Sequence, residues 1–270
     1  MPEFSRLEFE EQFHDKWAAS VKTGDIDVFK RNEALTAPEL RFIHKRLGDI
    51  KGKNVLDVGC GLGEASVYFA LKGAKVTACD LSDGMLAATK ELSQKYKVDI
   101  KVAKCLNDGT PFQVTDTFDI IYAGNVLHHT DLVKCSENLI TYLKPEGRLV
   151  IWDPIAYNPL INVYRRIATD VRTPDERPLT FSDIKFFRDR FEKVETKYFW
   201  FCTLFIFLMM FAFERRNPNK ERFWKVVVDE SDRWSSIYRP LEKLDSFLLK
   251  VLPPLRYLCW NVVIISQKPR

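Results

Sequence analysis

Residues 55–64, Val-Leu-Asp-Val-Gly-Cys-Gly-Leu-Gly-Glu, pass from an apolar run into three alternate glycines and then into a helical pattern. A strand, a tight turn and a helix start follow from that order. Glycine accepts φ > 0 and has no Cβ, so the backbone at Gly59, Gly61 and Gly63 can lie against a ligand. Bare N–H groups at a helix N-terminus then face that ligand. The turn reads as a nucleotide-like cradle.

From Lys53 onward the pattern alternates: strands at 53–58, 75–79, 98–104, 117–123 and 146–152, with helices at 62–72, 82–95 and 131–143. Alternation of this kind predicts an α/β fold with a mostly parallel sheet covered on both faces, and ligands at the C-terminal ends of the strands. Ahead of it, Phe4, Leu7, Phe13 and Trp17 mark an amphipathic helix over 3–20. A second helix starts at Pro38, which suits a first helical position, and runs to Leu47. Residues 1–50 are therefore expected to be lid helices, 51–155 the cofactor-binding core, and 156–270 the rest of the core with a helical insertion at about 202–256. Phe13, His14 and Trp17 can close over a substrate, although the helical spacing of Phe13 and Trp17 also suits plain core packing.

Asp80 ends the second strand, 19 residues beyond Gly61, where a carboxylate can accept both hydroxyls of an adenosine ribose. An acid at a strand end can also cap the next helix, here Ser82 onward. A nicotinamide dinucleotide fits poorly, because position 64 is Glu where the dinucleotide fingerprint wants its third glycine. A carboxylate there repels a pyrophosphate and tolerates a cation.

LDVGCGLGE at 56–64, ACDLS at 78–82, GTPF at 109–112, FDIIYAGNVLHH at 118–129 and LKPEGRLVIWDP at 143–154 together resemble the class I S-adenosylmethionine-dependent methyltransferases. The branch resembled is the small-molecule one that includes the ubiquinone/menaquinone methyltransferases. The resemblance implies a Rossmann-like seven-stranded sheet with an antiparallel last strand, placed at 258–266, after a sixth strand within 193–201. It implies S-adenosylmethionine as cofactor, with S-adenosylhomocysteine as product, held by Asp57, Gly59, Cys60, Gly61, Gly63, Asp80, Leu81 and Asn125. Relatives carry an acid after the third strand for the adenine amino group; here Asp108, or Asn107 beside it, stands near that place.

Methyl transfer from a sulfonium is an in-line displacement with an activated leaving group, so alignment and exclusion of water do most of the work. A base is needed only where the acceptor must lose a proton. His129 and His128, after the fourth strand, are the candidates, and a purely structural role for both stays open. Tyr157 and Arg165 are candidate acceptor contacts, Arg165 for an anionic group. Lid helices and an aromatic-rich second half point to a lipophilic acceptor such as an isoprenoid, polyketide or lipid. The rival reading keeps the fold and the cofactor in a catalytically inactive partner subunit.

Charge is unevenly placed: residues 1–153 hold 20 Lys/Arg against 23 Asp/Glu, and 154–270 hold 21 against 14. No basic cluster interleaves with aromatics as a nucleic-acid groove requires, so no nucleic-acid partner is expected. Six cysteines without CxxC spacing suggest reduced thiols and no metal site. An acidic N-terminus without an apolar leader makes the cytoplasm the expected compartment. Residues 198–213 are almost wholly apolar, yet 16 residues fall short of the roughly 20 needed to span a bilayer. They read as a buried helix, a tunnel wall, or a peripheral membrane contact through 198–225. The sequence leaves the oligomeric state open.

Overall fold

A computed structural model describes residues 6–105, 116–173 and 176–270. Three helices, α1 (Arg6–Ser20), α2 (Val28–Glu33) and α3 (Pro38–Leu47), precede β1 (Asn54–Val58). There follow α4 (Glu64–Leu71), β2 (Lys75–Asp80), α5 (Asp83–Lys95), β3 (Ile100–Lys104), β4 (Phe118–Gly124), α6 (Leu132–Thr141) and β5 (Leu143–Pro154). The second half is α7 (Pro159–Ile167), α8 (Phe181–Arg190), β6 (Phe191–Phe199), α9 (Phe205–Ala212), α10 (Phe223–Asp229), α11 (Ser231–Val251) and β7 (Asn261–Pro269).

The described strands form one sheet in the order β3-β2-β1-β4-β5-β7-β6. The first five run parallel, and β7 lies antiparallel between β5 and β6. Alternation along the strands sends successive side chains to opposite faces. Leu56, Val58, Ile121, Ala123, Leu149 and Ile151 enter the core under α6 and α8, while Val55, Val76, Ile120, Tyr122 and Val150 enter the core under α3, α4 and α5. Because the order reverses between β1 and β4, their C-terminal ends part and leave a crevice.

The lid helices are tied to this frame by short polar contacts. On α1, Asp15 accepts hydrogen bonds from the Ser82 hydroxyl at 2.5 Å and the Gly84 N–H at 2.9 Å, so it caps α5 from outside. A Cβ at Gly84 would stand 3.0 Å from the Asp15 carboxylate, which is why the close approach needs glycine. The unforeseen α2 is capped by Asp27, which accepts the Lys30 N–H; six residues are too few to show a helical period. On α3 the buried Glu39 accepts from the Asn261 side-chain amide at 2.7 Å, which joins the lid to β7.

The insertion departs most from expectation. β6 ends at Phe199, Trp200 turns the chain at φ +64, and within the apolar run 198–213 only Phe205–Ala212 is α-helical. α11 starts at Ser231 and runs through Pro240, whose missing N–H removes one backbone bond without ending the helix. β7 starts at Asn261 because Pro253–Leu258 forms a 3-10 turn first. None of the six cysteines is in a disulfide.

Burial raises the Glu39 carboxyl from 4.5 to about 7. The unfolded chain ionises this group near 4.5 while the folded chain retains its proton, so stability falls as pH rises from about 4.5 to 7 and is flat above. Relative to wild type, Glu39→Gln is expected to gain about 2–3 kcal/mol between pH 4.5 and 7.5, measured by urea unfolding at both values. An unchanged difference between the two proteins would mean that Glu39 is already ionised in the fold.

Candidate functional site

A cavity of about 300 Å³ fills the crevice at the ends of β1, β2 and β4, closed by α1, α2 and the segment after α7. Its floor is the glycine turn. Gly59, Gly61 and Gly63 have φ of +66, +54 and +85. A Cβ at Gly59 would lie 2.4 Å from Val126 and one at Gly63 would lie 2.8 Å from Thr89, so those two glycines are fixed by packing. A Cβ at Gly61 meets nothing within 4 Å and would enter the cavity itself. Of the three, Gly61 is thus the one whose missing Cβ leaves the cavity floor open.

Three carboxyls crowd this end. Asp80 accepts the Gly61 N–H and the Ser82 N–H, both at 2.9 Å. Asp57 accepts the Ser66 hydroxyl at 2.5 Å, and Glu64 pairs with Lys225 at 3.2 Å. Burial raises the Asp57 carboxyl to about 7, with Asp80 and Glu64 adding repulsion, and burial also raises Asp80. A cation placed among them would relieve that repulsion.

The opposite wall is built around His129. β4 leaves the sheet through Asn125, at φ +59, whose N–H donates to the Trp152 carbonyl. A single 3-10 turn then presents Leu127–His129. His129 Nδ1 lies 3.2 Å from Glu10 on α1 and 3.2 Å from the Thr173 hydroxyl, and His14 reaches the same carboxylate at 3.5 Å. Burial pushes Glu10 up, but hydrogen bonds with His129 and His14 outweigh it and hold the carboxyl ionised. Burial, with His128 adding to it, lowers His129 to about 4, so the imidazole is neutral near pH 7. The tautomer that donates from Nδ1 to Glu10 keeps its lone pair on Nε2.

His128 is held differently. Its Nδ1 lies 2.5 Å from the fully buried Asp153, its carbonyl accepts the Arg177 N–H, and its ring lies 4.0 Å from that of His129. Burial lowers His128 to about 3 and raises Asp153 well above the carboxylate range, so the pair carries no net charge. It supports the neighbouring ring and ties down the segment after α7.

Cations gather on this side. Arg165, Arg172 and Arg222 line the cavity with Tyr164. Arg172 pairs with Glu176, and Arg222 lies 4.1 Å over the Trp17 ring. Arg165 Nη2 and the Tyr164 hydroxyl are buried without a hydrogen-bond partner among the described residues. Burial lowers both Arg165 and Arg172 to about 10, Arg165 adding repulsion at Arg172. Two guanidiniums facing one cavity, of which only Arg172 is paired with a carboxylate, suit an anion. His128, His129 and Glu176 do bring ligand atoms within 4.8 Å of one another, but the same guanidiniums disfavour a metal cation there.

The structure brings Phe13, His14, Trp17, Asp57, Gly59, Cys60, Gly61, Asp80, Leu81, Asn125, His128, His129 and Arg165 to one cavity. Gly63 and Tyr157 stand apart from it. Gly63 packs on Thr89 behind the turn, and Tyr157 stacks on Phe181 with centroids 4.8 Å apart, its hydroxyl accepting the Phe181 N–H. Asn107, Asp108 and the GTPF loop lie outside the described residues. Of residues 198–213 only Trp200 reaches the cavity, which corrects the tunnel-wall reading. Sequence reasoning missed Glu10, Arg172 and Arg222. The spacing of Glu10 and His14 on one helix face was the available signal for the first; the other two lie in irregular segments with no pattern.

The family model of a methyltransferase domain matches residues 56–151. Phosphoethanolamine N-methyltransferase 1 of Zea mays is 36% identical over 151 residues, covering 54% of this chain and 27% of the relative. Ubiquinone biosynthesis O-methyltransferase of Coxiella burnetii is 32% identical over 111 residues, covering 41% and 47%. The chain thus spans between about a quarter and a half of these curated relatives. The solved Haemonchus contortus phosphoethanolamine N-methyltransferase 2, in complex with S-adenosyl-L-methionine, superposes with a TM-score of 0.62 at 18% identity, covering all of this chain and 61% of the other. The domain match, the strand order and the glycine turn agree: residues 56–151 match a methyltransferase domain and are built as one.

Proposed function

We propose that the chain transfers a methyl group from S-adenosylmethionine to a small acceptor that joins an anionic group to an apolar body. The observation that carries this reading is the division of one cavity into two ends of opposite charge. Asp57, Glu64 and Asp80 surround the glycine turn at one end, and Arg165 and Arg172 stand at the other beside the Glu10–His129 pair. Bound at the acidic end, the cofactor supplies an activated methyl group on a cationic sulfonium.

Asp80 is placed for the ribose hydroxyls and Gly61 for backbone contact, while Asp57 and Glu64 complement the positive charge. Leu81 completes that end, and Asn125 stands at the corner where it meets the acceptor wall. On the acceptor side Arg165, Arg172 and the Tyr164 hydroxyl would hold a phosphate or carboxylate. Phe13, Trp17, Trp200 and Trp224 face the remainder of the acceptor. The hydrophobic acceptor expected from the sequence thus becomes an amphiphilic one. The Zea mays and Coxiella relatives are named for an acceptor with a phosphate and for ubiquinone biosynthesis, and on the acceptor side of this pocket the arginines suit the first and the aromatic rings the second. His129, oriented by ionised Glu10, is placed to take a proton from a hydroxyl, phenol or ammonium acceptor. The α1–α5 contact through Asp15 keeps the lid closed and water out.

Calorimetry with S-adenosylhomocysteine tests the acidic end. Binding is expected and should disappear in Asp80→Ala; a folded chain that binds neither cofactor form overturns the reading. Gly61→Ala should lower affinity at least tenfold while the φ penalty costs about 1–2 kcal/mol of stability. Gly59→Ala, with Val126 in the way, should lose stability first.

Affinity for S-adenosylmethionine should also depend on pH. The cation lowers the Asp57 carboxyl from about 7, so the bound state holds fewer protons than the free one and affinity rises with pH. About a fivefold gain is expected between pH 6 and 7 and about a further twofold by pH 8, with a plateau above. Asp57→Asn should flatten that slope.

For the acceptor end, release of S-adenosylhomocysteine is to be measured with phosphoethanolamine and with a prenylated phenolic acid. Arg165→Gln should raise KM more than tenfold with a smaller change in kcat, and His129→Gln should lower kcat. A chain that binds cofactor yet turns over with neither acceptor class would favour the inactive-subunit alternative.

A further inference from the structure

The apolar run at 198–213 leaves a surface that the cavity does not use. Its buried side packs Leu204, Ile206, Phe207 and Met210 against Trp200, Phe223, Trp234 and Tyr238. Its outer side presents Phe205, Leu208 and Phe211 at a spacing of three, with Phe213 just beyond, all exposed. The C-terminal half of α11 does the same with Leu244, Phe247 and Val251, followed by exposed Leu252. Asp245, on the opposite face of α11, accepts the N–H groups of Phe201, Cys202 and Thr203. It thereby fixes the start of α9 against α11, so the two apolar faces sit on neighbouring elements.

Monomeric proteins rarely leave apolar surface of this kind open to water. The charges around it are one-sided. Arg215, Lys220, Arg239, Lys243 and Lys250 are exposed. Most acids of the same stretch are taken up: Glu214, Glu221 and Glu230 by Arg216, Glu242 by Arg41, and Asp229 by Arg31. Asp232 is left as the exposed acid without such a partner among the described residues. An apolar strip with a net positive rim complements an anionic lipid surface, where apolar insertion and attraction to headgroups act together. No described helix is long and apolar enough to cross a membrane, so the contact lies in the plane of the interface.

We propose that the outer faces of α9 and the C-terminal half of α11 form a docking surface for an anionic bilayer, with Phe211 and Phe247 as its apolar anchors and Lys243 and Lys250 in its basic rim. Behind this surface, Phe207 of α9 packs on Tyr164 of the cavity wall at 6.1 Å between centroids. The surface therefore backs onto the acceptor end. Docking stands independently of methyl transfer, since it uses none of the residues assigned to the cavity.

Flotation of the full chain with phosphatidylcholine vesicles, with and without about one third phosphatidylglycerol, tests this directly. Binding is expected only with the anionic lipid, weakened severalfold by raised salt. Phe211→Ser combined with Phe247→Ser should reduce it at least tenfold. Lys243→Glu combined with Lys250→Glu should abolish the preference for phosphatidylglycerol. Both variants alter exposed side chains, and unchanged thermal unfolding by circular dichroism would show that the fold is kept. The proposal is overturned if the wild-type chain fails to float with anionic vesicles, or if the Phe variant floats as well as wild type. It is equally overturned if ultracentrifugation finds a dimer that the Phe variant splits while vesicles stay unbound, because the face would then belong to a second copy.

Discussion

Everything at the site depends on how closely the exit of β4 crosses the turn after β1. A Cβ on Gly59 would lie 2.4 Å from the Val126 side chain, so that side chain packs directly on the bare Gly59 backbone. That contact aligns the 3-10 turn carrying His129 with the floor carrying Gly61. Asn125 must adopt φ +59 to make the corner, and its N–H bond to the Trp152 carbonyl holds it there. Left-handed backbone at a non-glycine residue costs free energy and survives where its surroundings fix it. Here the neighbouring strand β5 does so, which joins the acceptor wall to the sheet rather than to a loose loop.

Charge then divides what the backbone has brought together. Burial raises Asp57 and Asp80, with neighbouring carboxyls adding to it at Asp57, and burial lowers Arg165 and Arg172 on the far wall, with Arg165 adding repulsion at Arg172. Each end is destabilised by its own like charges, and each is relieved by a ligand of opposite sign. The strain is thus selective: a cation settles one end and an anion the other, with the neutral His129 between ionised Glu10 and the arginines. Asp153 and His128, by sharing charge within a buried pair, remove themselves from this balance.

The sequence was most legible where local backbone chemistry dictates structure. Alternate glycines with φ > 0, Asp80 at a strand end and Pro38 at a helix start each act within a few residues, and the structure puts their backbones where the pattern does. Legibility failed where a residue's role is set by a distant partner. Glu10 matters because α1 crosses above the 3-10 turn, and Arg172 because the segment after α7 folds back over it; neither relation has a period. Gly63 and Tyr157 erred in the opposite sense, because proximity in sequence to the site did not bring them to its wall. α2 escaped because a helix of six residues completes fewer than two turns.

The aromatic run shows a different limit. An apolar helix with no polar face gives no clue to which side is inward, since every orientation buries equally greasy residues. Orientation must come from its partners, and here a single carboxylate decides it. Asp245 is buried on α11, where its charge is met by three backbone N–H groups and the Thr203 hydroxyl. Those bonds can form only if the start of α9 faces α11. Once that end is fixed, the helical period sends Ile206, Phe207 and Met210 inward and leaves Phe205, Leu208 and Phe211 outside. One buried acid therefore determines both which aromatics support the acceptor wall and which are left for whatever lies beyond the protein's surface.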